Sequence, residues 1–118
     1  MIRRIVLALF VLFVAESSVL CEDRPQWRAI WVDAFNPGIK TPQQVDQLIT
    51  DMKSLNCNTI IAQIRKRGDA LFRKCIEPFT EDATIPAGFD PLADLLEKGH
   101  KAGLQVHVKT KESSGIFR

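Results

Sequence analysis

The sequence lacks the features that mark most specialised classes of protein. It has no run of about 20 apolar residues, no stretch rich in glycine, and no extended block of like charges; its longest basic run is Arg65-Lys66-Arg67. Three basic residues are too few for the electrostatic surface that nucleic acids require, so no nucleic-acid partner is expected. A chain of 118 residues that is 46% hydrophobic and 25% charged is typical of one soluble globular domain.

The first 21 residues have the three parts of a secretory signal peptide. Arg3 and Arg4 precede an apolar run from Ile5 to Ala15, and small residues follow. Glu16 ends that run after about 11 residues, whereas a bilayer-spanning helix needs about 20. Residues 1–21 are therefore predicted to direct export and to be removed, which leaves a secreted or periplasmic protein without a membrane anchor.

The placement of the three cysteines argues against a disulfide. Lipid attachment at Cys21 is the less favoured alternative to cleavage, because Leu20 stands where a lipoprotein signal has a small side chain. Cys57 and Cys75 then remain, and export would permit them to pair. A predicted strand of about eight residues separates them by about 25 Å at about 3.3 Å per residue, so two unpaired thiols are expected.

Strand-like and helix-like segments alternate from residue 26 to residue 108. Three segments rich in apolar and β-branched residues are the predicted strands: Arg28 to Phe35, Asn58 to Arg65 and Leu104 to Val108. Two helices are predicted, each opened by an N-cap followed by proline, at Thr41-Pro42 and Asp90-Pro91, with expected C-terminal caps at Asn56 and Gly103. A helix between two strands with short connections implies a parallel β/α sheet.

Two segments depart from this period. The stretch from Lys66 to Phe89 is longer than ordinary β/α connections, and loops of that length are usually functional or disordered. Residues 109–118 show no periodicity and are expected to form an irregular tail. An eight-stranded barrel needs about 250 residues, so the chain is expected to hold only the beginning of such a fold.

Strand alternation predicts which side chains share the functional face, at the carboxyl ends of the strands. One face is wholly apolar and should pack on helices: Ile30, Val32, Ala34, Ile60, Ala62 and Ile64. The opposite face carries the predicted ligand-binding residues, which are Trp31, Asp33, Gln63, Arg65 and His107, with Gly68 and Asp69 in the loop that follows. A self-satisfied ion pair between Asp33 and Arg65 is the simpler alternative.

Residues 28–38 (RAIWVDAFNPG), 58–70 (NTIIAQIRKRGDA), 89–92 (FDPL) and 100–107 (HKAGLQVH) together resemble the glycosyl hydrolase-like 10 family. The resemblance implies an α/β protein, with residues 26–108 forming the first three strands and two helices of a truncated (β/α)8 TIM-type barrel. It also implies an extracytoplasmic protein that acts on O-glycosidic bonds of carbohydrate; some members of the family act on cell-wall glycan. The site residues that it carries over are Asp33, Gln63, Arg65, Gly68, Asp69 and His107. After His107 the chain departs from the family pattern.

Glycoside hydrolysis usually needs two carboxylates about 5 to 9.5 Å apart. Asp33 and Asp69 are the acids near strand ends, and Arg65 is expected to lower their pKa, which suits a ligand anchor better than a general acid. In related barrel hydrolases the catalytic carboxylates lie on later strands. Catalytic residues are therefore not assigned, and hydrolysis by this chain alone is not expected.

Two other interpretations remain open. A non-catalytic carbohydrate-binding module, or an inactive remnant, would use the same polar face to hold a sugar. A small open α/β domain that binds a phosphate-bearing ligand is less favoured, because the turn Asn36-Pro37-Gly38 has one glycine. No metal or cofactor is expected, since His100 and His107 are seven residues apart and on different elements.

Overall fold

Residues 26–110 are described by the computed structural model and form one parallel sheet with two helices. The elements in chain order are β1 (Ala29–Val32), α1 (Pro42–Ser54), β2 (Thr59–Gln63), α2 (Pro91–Lys101) and β3 (Gln105–Lys109). The sheet order is β1-β2-β3, with both pairings parallel, which confirms the predicted α/β arrangement. The predicted signal peptide, with Cys21, and the last eight residues of the predicted tail lie outside the described residues.

The observed strands differ from the predicted ones at their ends. β1 stops at Val32, because Asp33 begins the loop that leads to α1. β3 includes Lys109, which the sequence interpretation assigned to the tail, because its backbone pairs in register with Gln63 of β2. Within residues 26–110, no helix has the length and apolar character that would carry it across a bilayer.

The two helices begin by the same chemistry. The Thr41 hydroxyl accepts a hydrogen bond from the backbone N–H of Gln44 at 3.2 Å, and the Asp90 carboxylate accepts one from Ala93 at 3.0 Å. Proline occupies the first turn of each helix, where the missing N–H has no intrahelical partner to lose. Both predicted helix starts are confirmed.

The two helices also end alike. Asn56 and Gly103 adopt left-handed backbone conformations, with φ of 53° and 75°. The next backbone N–H turns back to the helix, from Cys57 to the Met52 carbonyl and from Leu104 to the Gly99 carbonyl, both at 2.9 Å. These are Schellman motifs, and they place Asn56 and Gly103 one residue beyond the C-caps Leu55 and Ala102.

The face of the sheet that was predicted to be apolar packs on the helices. Ile60 and Ala62 of the central strand are fully buried, and they share one core with Val45 and Met52 of α1 and Leu95 of α2. Gly99 lets α2 approach β3 closely, because a Cβ atom there would lie 2.9 Å from a methyl carbon of Val106. Because successive residues of a strand point to opposite faces, the burial of these side chains places their neighbours in the strand on the face away from the helices.

The long connection between β2 and α2 is folded. It has a small core of its own, formed by Leu71 and Ile85 with Ala34 from the preceding loop, and Phe79 and Phe89 pack against it. Its backbone returns to the end of the sheet, where the N–H of Leu71 donates to the Ile64 carbonyl at 2.8 Å. The connection therefore covers the carboxyl end of β2. Within residues 26–110, Cys57 and Cys75 form no disulfide with each other.

The matching helix ends give a test of backbone conformation. Gly103→Ala should lower the free energy of unfolding by about 1 kcal/mol, because φ of 75° is unfavourable for alanine. Apart from Gly103 and its two chain neighbours, no heavy atom of residues 26–110 lies within 4 Å of the added Cβ, so a steric clash would not contribute. Asn56→Gly, at the same position of α1, is the control and should leave stability unchanged or slightly higher. Urea unfolding measures the stability of both variants. Equal losses of stability would contradict the assignment of the Gly103→Ala effect to the left-handed backbone conformation.

Candidate functional site

An open cleft of about 260 Å³ lies at the carboxyl end of the sheet, on the face away from the helices. It is lined by Trp31 of β1, Phe35 of the following loop, Gln63 of β2 and Lys109 of β3. The two aromatic side chains are about half exposed, at 50% for Trp31 and 48% for Phe35. Trp31 and Gln63 belong to the predicted site, and the structure brings them together.

Each aromatic ring of the cleft has a cation beside it. The Lys109 ammonium lies 5.5 Å from the centre of the Trp31 ring, and the Arg67 guanidinium lies 5.9 Å from that of Phe35. Sequence reasoning did not select Lys109, Arg67 or Phe35. The signal for Lys109 was present, because two further residues of strand alternation from His107 place it on the same face.

Asp33 shapes the turn after β1 and does not pair with Arg65. Its carboxylate accepts hydrogen bonds from the backbone N–H groups of Phe35 at 2.7 Å and Asn36 at 2.8 Å, and from the Asn36 side chain at 3.0 Å. The bonds from Asn36 hold the pKa of Asp33 below its ordinary value, and the Lys40 charge contributes a smaller part. The expectation that Arg65 lowers this pKa is wrong, because its guanidinium is engaged elsewhere.

Arg65 forms its ion pair with Glu77 across the long connection, and both side chains are about one-third exposed. Its carbonyl accepts a hydrogen bond from the Gln63 side-chain amide at 3.0 Å. That bond fixes the amide that lines the cleft. Glu77 was missed from sequence because it lies in a segment without periodicity, where no rule places it beside a strand end.

Gly68 and Asp69 form the turn that follows. Gly68 has φ of 87°, and the Asp69 carboxylate accepts from the Arg67 backbone N–H at 3.0 Å. Partial burial tends to raise the pKa of Asp69, but the Thr80 hydroxyl beside it and the Arg67 N–H outweigh burial and lower it. These two residues hold the backbone that presents Arg67 to the Phe35 ring.

His107 lies on the predicted face but outside the cleft. It is level with Trp31, with Ile61 between them in the register of the three strands. Its ring packs on Trp27, with centroids 4.9 Å apart and planes tilted by 44°. Strand alternation therefore predicted the face on which His107 lies. It did not predict the contact with Trp27, which precedes β1.

A buried ionic cluster joins the two loops behind the cleft. The Lys40 ammonium lies 2.8 Å from the Asp82 carboxylate and donates to the Phe35 carbonyl at 2.7 Å; the Lys66 ammonium lies 3.6 Å from the same carboxylate. The Lys40 side chain is 8% exposed. Its hydrogen bond, with those from the Thr84 hydroxyl and backbone N–H, holds the pKa of Asp82 well below its ordinary range.

These groups suit binding better than proton transfer. Aromatic faces, a fixed amide and two cations complement the apolar and hydroxyl surfaces of a polar ligand. A general acid at neutral pH needs a raised pKa, whereas the pKa values of Asp33, Asp69 and Asp82 are all lowered. These three carboxylates accept hydrogen bonds from backbone N–H groups and so hold the loops at this end of the sheet.

Comparison with known proteins agrees with the sequence motifs. The family model described as glycosyl hydrolase-like 10 matches residues 26–112. The chain is also similar to glycosyl hydrolase YngK of Bacillus subtilis (strain 168), with 26% identity over an alignment of 118 positions, which covers 88% of this chain. That alignment covers 23% of the relative, so the chain spans less than a quarter of the length of the curated relative that it matches.

The ionic cluster predicts a specific dependence of stability on pH. Asp82→Asn should lower the free energy of unfolding by about 2 kcal/mol at pH 7, because it removes charge-assisted hydrogen bonds. The folded pKa of Asp82 is below the value of about 3.9 in the unfolded chain. The difference between wild type and variant should therefore be constant above about pH 5 and shrink as the pH falls below about 4.

Denaturant unfolding from pH 7 to pH 2 measures this difference. Glu81→Gln removes a charge from the neighbouring, exposed position and is the matched control. Its effect should stay within about 0.5 kcal/mol at every pH. A loss for Asp82→Asn that stays the same down to pH 2 would show that the charge of Asp82 does not stabilise the fold.

Proposed function

The chain belongs to the glycosyl hydrolase-like 10 family, and from that premise we propose that its described residues form a saccharide-binding part of an exported (β/α)8 barrel protein. The family and the name of the relative support a role that involves carbohydrate. Three parallel strands joined through helices support the barrel, because this is the repeating unit of that fold. The signal-like residues 1–21 support export.

The cleft at the carboxyl end of the sheet is the observation that carries the proposal. Sugars present apolar C–H faces, which pack on aromatic rings, and hydroxyl groups, which bond to fixed amides. Trp31 and Phe35 supply half-exposed rings, and Gln63 supplies an amide held by its own hydrogen bond. The location also agrees with the general rule that ligands of parallel β/α sheets bind at the carboxyl ends of strands.

In this proposal, the remaining predicted site residues hold the loops around the cleft or extend its face of the sheet. Asp33, Arg65, Gly68 and Asp69 fix the backbone of the two loops that surround it, through the contacts described above. His107 extends the same face of the sheet toward Trp27.

We propose cell-wall glycan as the ligand because of the charges at the rings. Lys109 and Arg67 place positive charge on both aromatic walls. Carboxylate groups on a glycan would pair with these cations, and a neutral polysaccharide would not. The glycan therefore fits the cleft better when it carries acidic substituents.

Binding without cleavage by these residues is the second candidate. It is favoured by the lowered pKa values of Asp33, Asp69 and Asp82, which keep these acids ionised when a general acid would have to be protonated. A binding assay and a hydrolysis assay on the same glycan test this candidate: the purified chain should bind the glycan and release no product, and turnover would exclude binding without cleavage.

The two exposed tryptophans provide a matched test of the cleft. Trp31→Ala should weaken binding of the purified chain to soluble cell-wall glycan fragments by at least about tenfold, equivalent to about 1.4 kcal/mol, because it removes one wall. Trp27→Ala removes a ring that is 66% exposed and outside the cleft, and it should change affinity by less than about twofold. Isothermal titration measures both, after circular dichroism has shown that both variants fold. Equal effects of the two substitutions would contradict the assignment of the cleft.

Export has a direct test. When the full gene product is expressed in a bacterium, the mature protein should be found outside the cytoplasm and should start near residue 22, because an apolar run and the small residues Ala15, Ser17 and Ser18 precede that position. Intact-mass spectrometry of the fractionated cells measures the start. A full-length mass in the cytoplasm would contradict export, and a mass increased by a lipid at Cys21 would favour the lipoprotein alternative.

A further inference from the structure

We propose that Lys40 is a positioning residue for the cleft: together with Asp82, it holds the backbone of Phe35 so that the Phe35 ring forms a fixed wall. The inference rests on the proposed saccharide-binding function, because the wall matters only if the cleft takes a ligand. Lys40 does not itself line the cleft, whose walls are formed by Trp31, Phe35, Gln63 and Lys109. It acts through the carbonyl group of Phe35.

Phe35 is held at both polar groups of its backbone. Its N–H donates to the Asp33 carboxylate at 2.7 Å, and its carbonyl accepts from the Lys40 ammonium at 2.7 Å. Both partners are charged, and hydrogen bonds to charged groups are about twice as strong as neutral ones. Phe35 is 48% exposed, so packing alone holds its side chain weakly. The two backbone contacts therefore fix a side chain that is only half buried.

The burial of Lys40 indicates that its bonds to Asp82 and Phe35 offset the free energy lost when its ammonium group leaves water. An ammonium group with a side-chain exposure of 8% loses most of its hydration, and lysine rarely occupies such a position without partners. Lys40 meets this cost with the Asp82 carboxylate and the Phe35 carbonyl. Its own backbone is fixed as well, because its N–H donates to the Gln44 side chain of α1 at 2.9 Å.

Asp82 connects this arrangement to the long connection between β2 and α2. One carboxylate oxygen accepts from the Thr84 hydroxyl at 2.6 Å and from the Thr84 N–H at 3.0 Å, and the other faces Lys40. The position of Phe35 is therefore set jointly by the loop after β1 and the loop after β2. If either loop moves, the Lys40 contact transmits the change to the wall of the cleft.

A double-mutant cycle tests this role. Lys40→Met alone would leave Asp82 buried beside an apolar side chain, so the variant K40M/D82N, which removes both charges, is used. It should lower affinity for soluble cell-wall glycan fragments by about five- to tenfold, and it should have no further effect in a Phe35→Ala background. Lys66→Met is the matched control: it removes the more distant cation on Asp82, at 3.6 Å, and should change affinity by less than about twofold.

A second measurement needs no ligand. With 4-fluorophenylalanine at position 35, the fluorine resonance of the wild-type chain should be displaced from that of the unfolded chain. It should move toward the unfolded position in K40M/D82N and stay in place in Lys66→Met. If K40M/D82N does not fold, Asp82→Asn alone should shift the resonance in the same direction by a smaller amount.

The outcomes separate the two hypotheses. If wild type binds no glycan, the proposed function fails, and the fluorine resonance still decides whether Lys40 positions Phe35. An unmoved resonance in K40M/D82N overturns the positioning role. An affinity loss that is equally large in the Phe35→Ala background also overturns it, because Lys40 would then act through another part of the site.

Discussion

The central strand β2 is paired on both sides, and that double pairing constrains the rest of the structure. A strand with two partners cannot slip by one residue without moving its whole apolar set to the wrong face. Ile60 and Ala62 must therefore meet the helices, and Gln63 must point to the other side. The cleft follows from this register, because Trp31 and Lys109 reach it from strands whose alignment β2 determines.

Contacts of charged side chains fix the two loops at the carboxyl end of the sheet. The loop after β1 and the connection after β2 have no repeating hydrogen-bond pattern, so side chains satisfy their backbone groups. Asp33 and Lys40 hold the first loop, and Asp82 joins it to the second. Asp33 and Asp82 therefore hold these loops in place, and their lowered pKa values follow from the hydrogen bonds that they accept.

Sequence reasoning recovered the parts of the molecule that depend on local periodicity. The starts of both helices were predicted from Thr41-Pro42 and Asp90-Pro91, because capping chemistry needs only neighbouring residues. The two faces of the sheet were predicted because alternation has a fixed period of two. The face of His107 was therefore right, although its contact with Trp27 depends on a segment that precedes the first strand.

The parts that sequence reasoning missed depend on the path of irregular chain. An ion pair between Asp33 and Arg65 was the simpler alternative because strand alternation put both side chains on one face, yet the long connection returns Glu77 to Arg65 and Asp82 to Lys40. No periodicity marks either acid. Lys109 was missed for a different reason, since the strand was taken to end one residue too early.

The two helix ends have the same hydrogen bonds but reach them at different thermodynamic cost. Asn56 accepts steric strain in the folded state, because a side chain is present at φ of 53°. Gly103 has no such strain, but it gives up a larger set of unfolded conformations when the chain folds. The end of α1 is therefore destabilised by strain in the folded state, whereas the end of α2 is destabilised by the conformational entropy that the unfolded chain loses on folding. Two ends that look alike in structure would respond differently to any condition that restricts the unfolded ensemble.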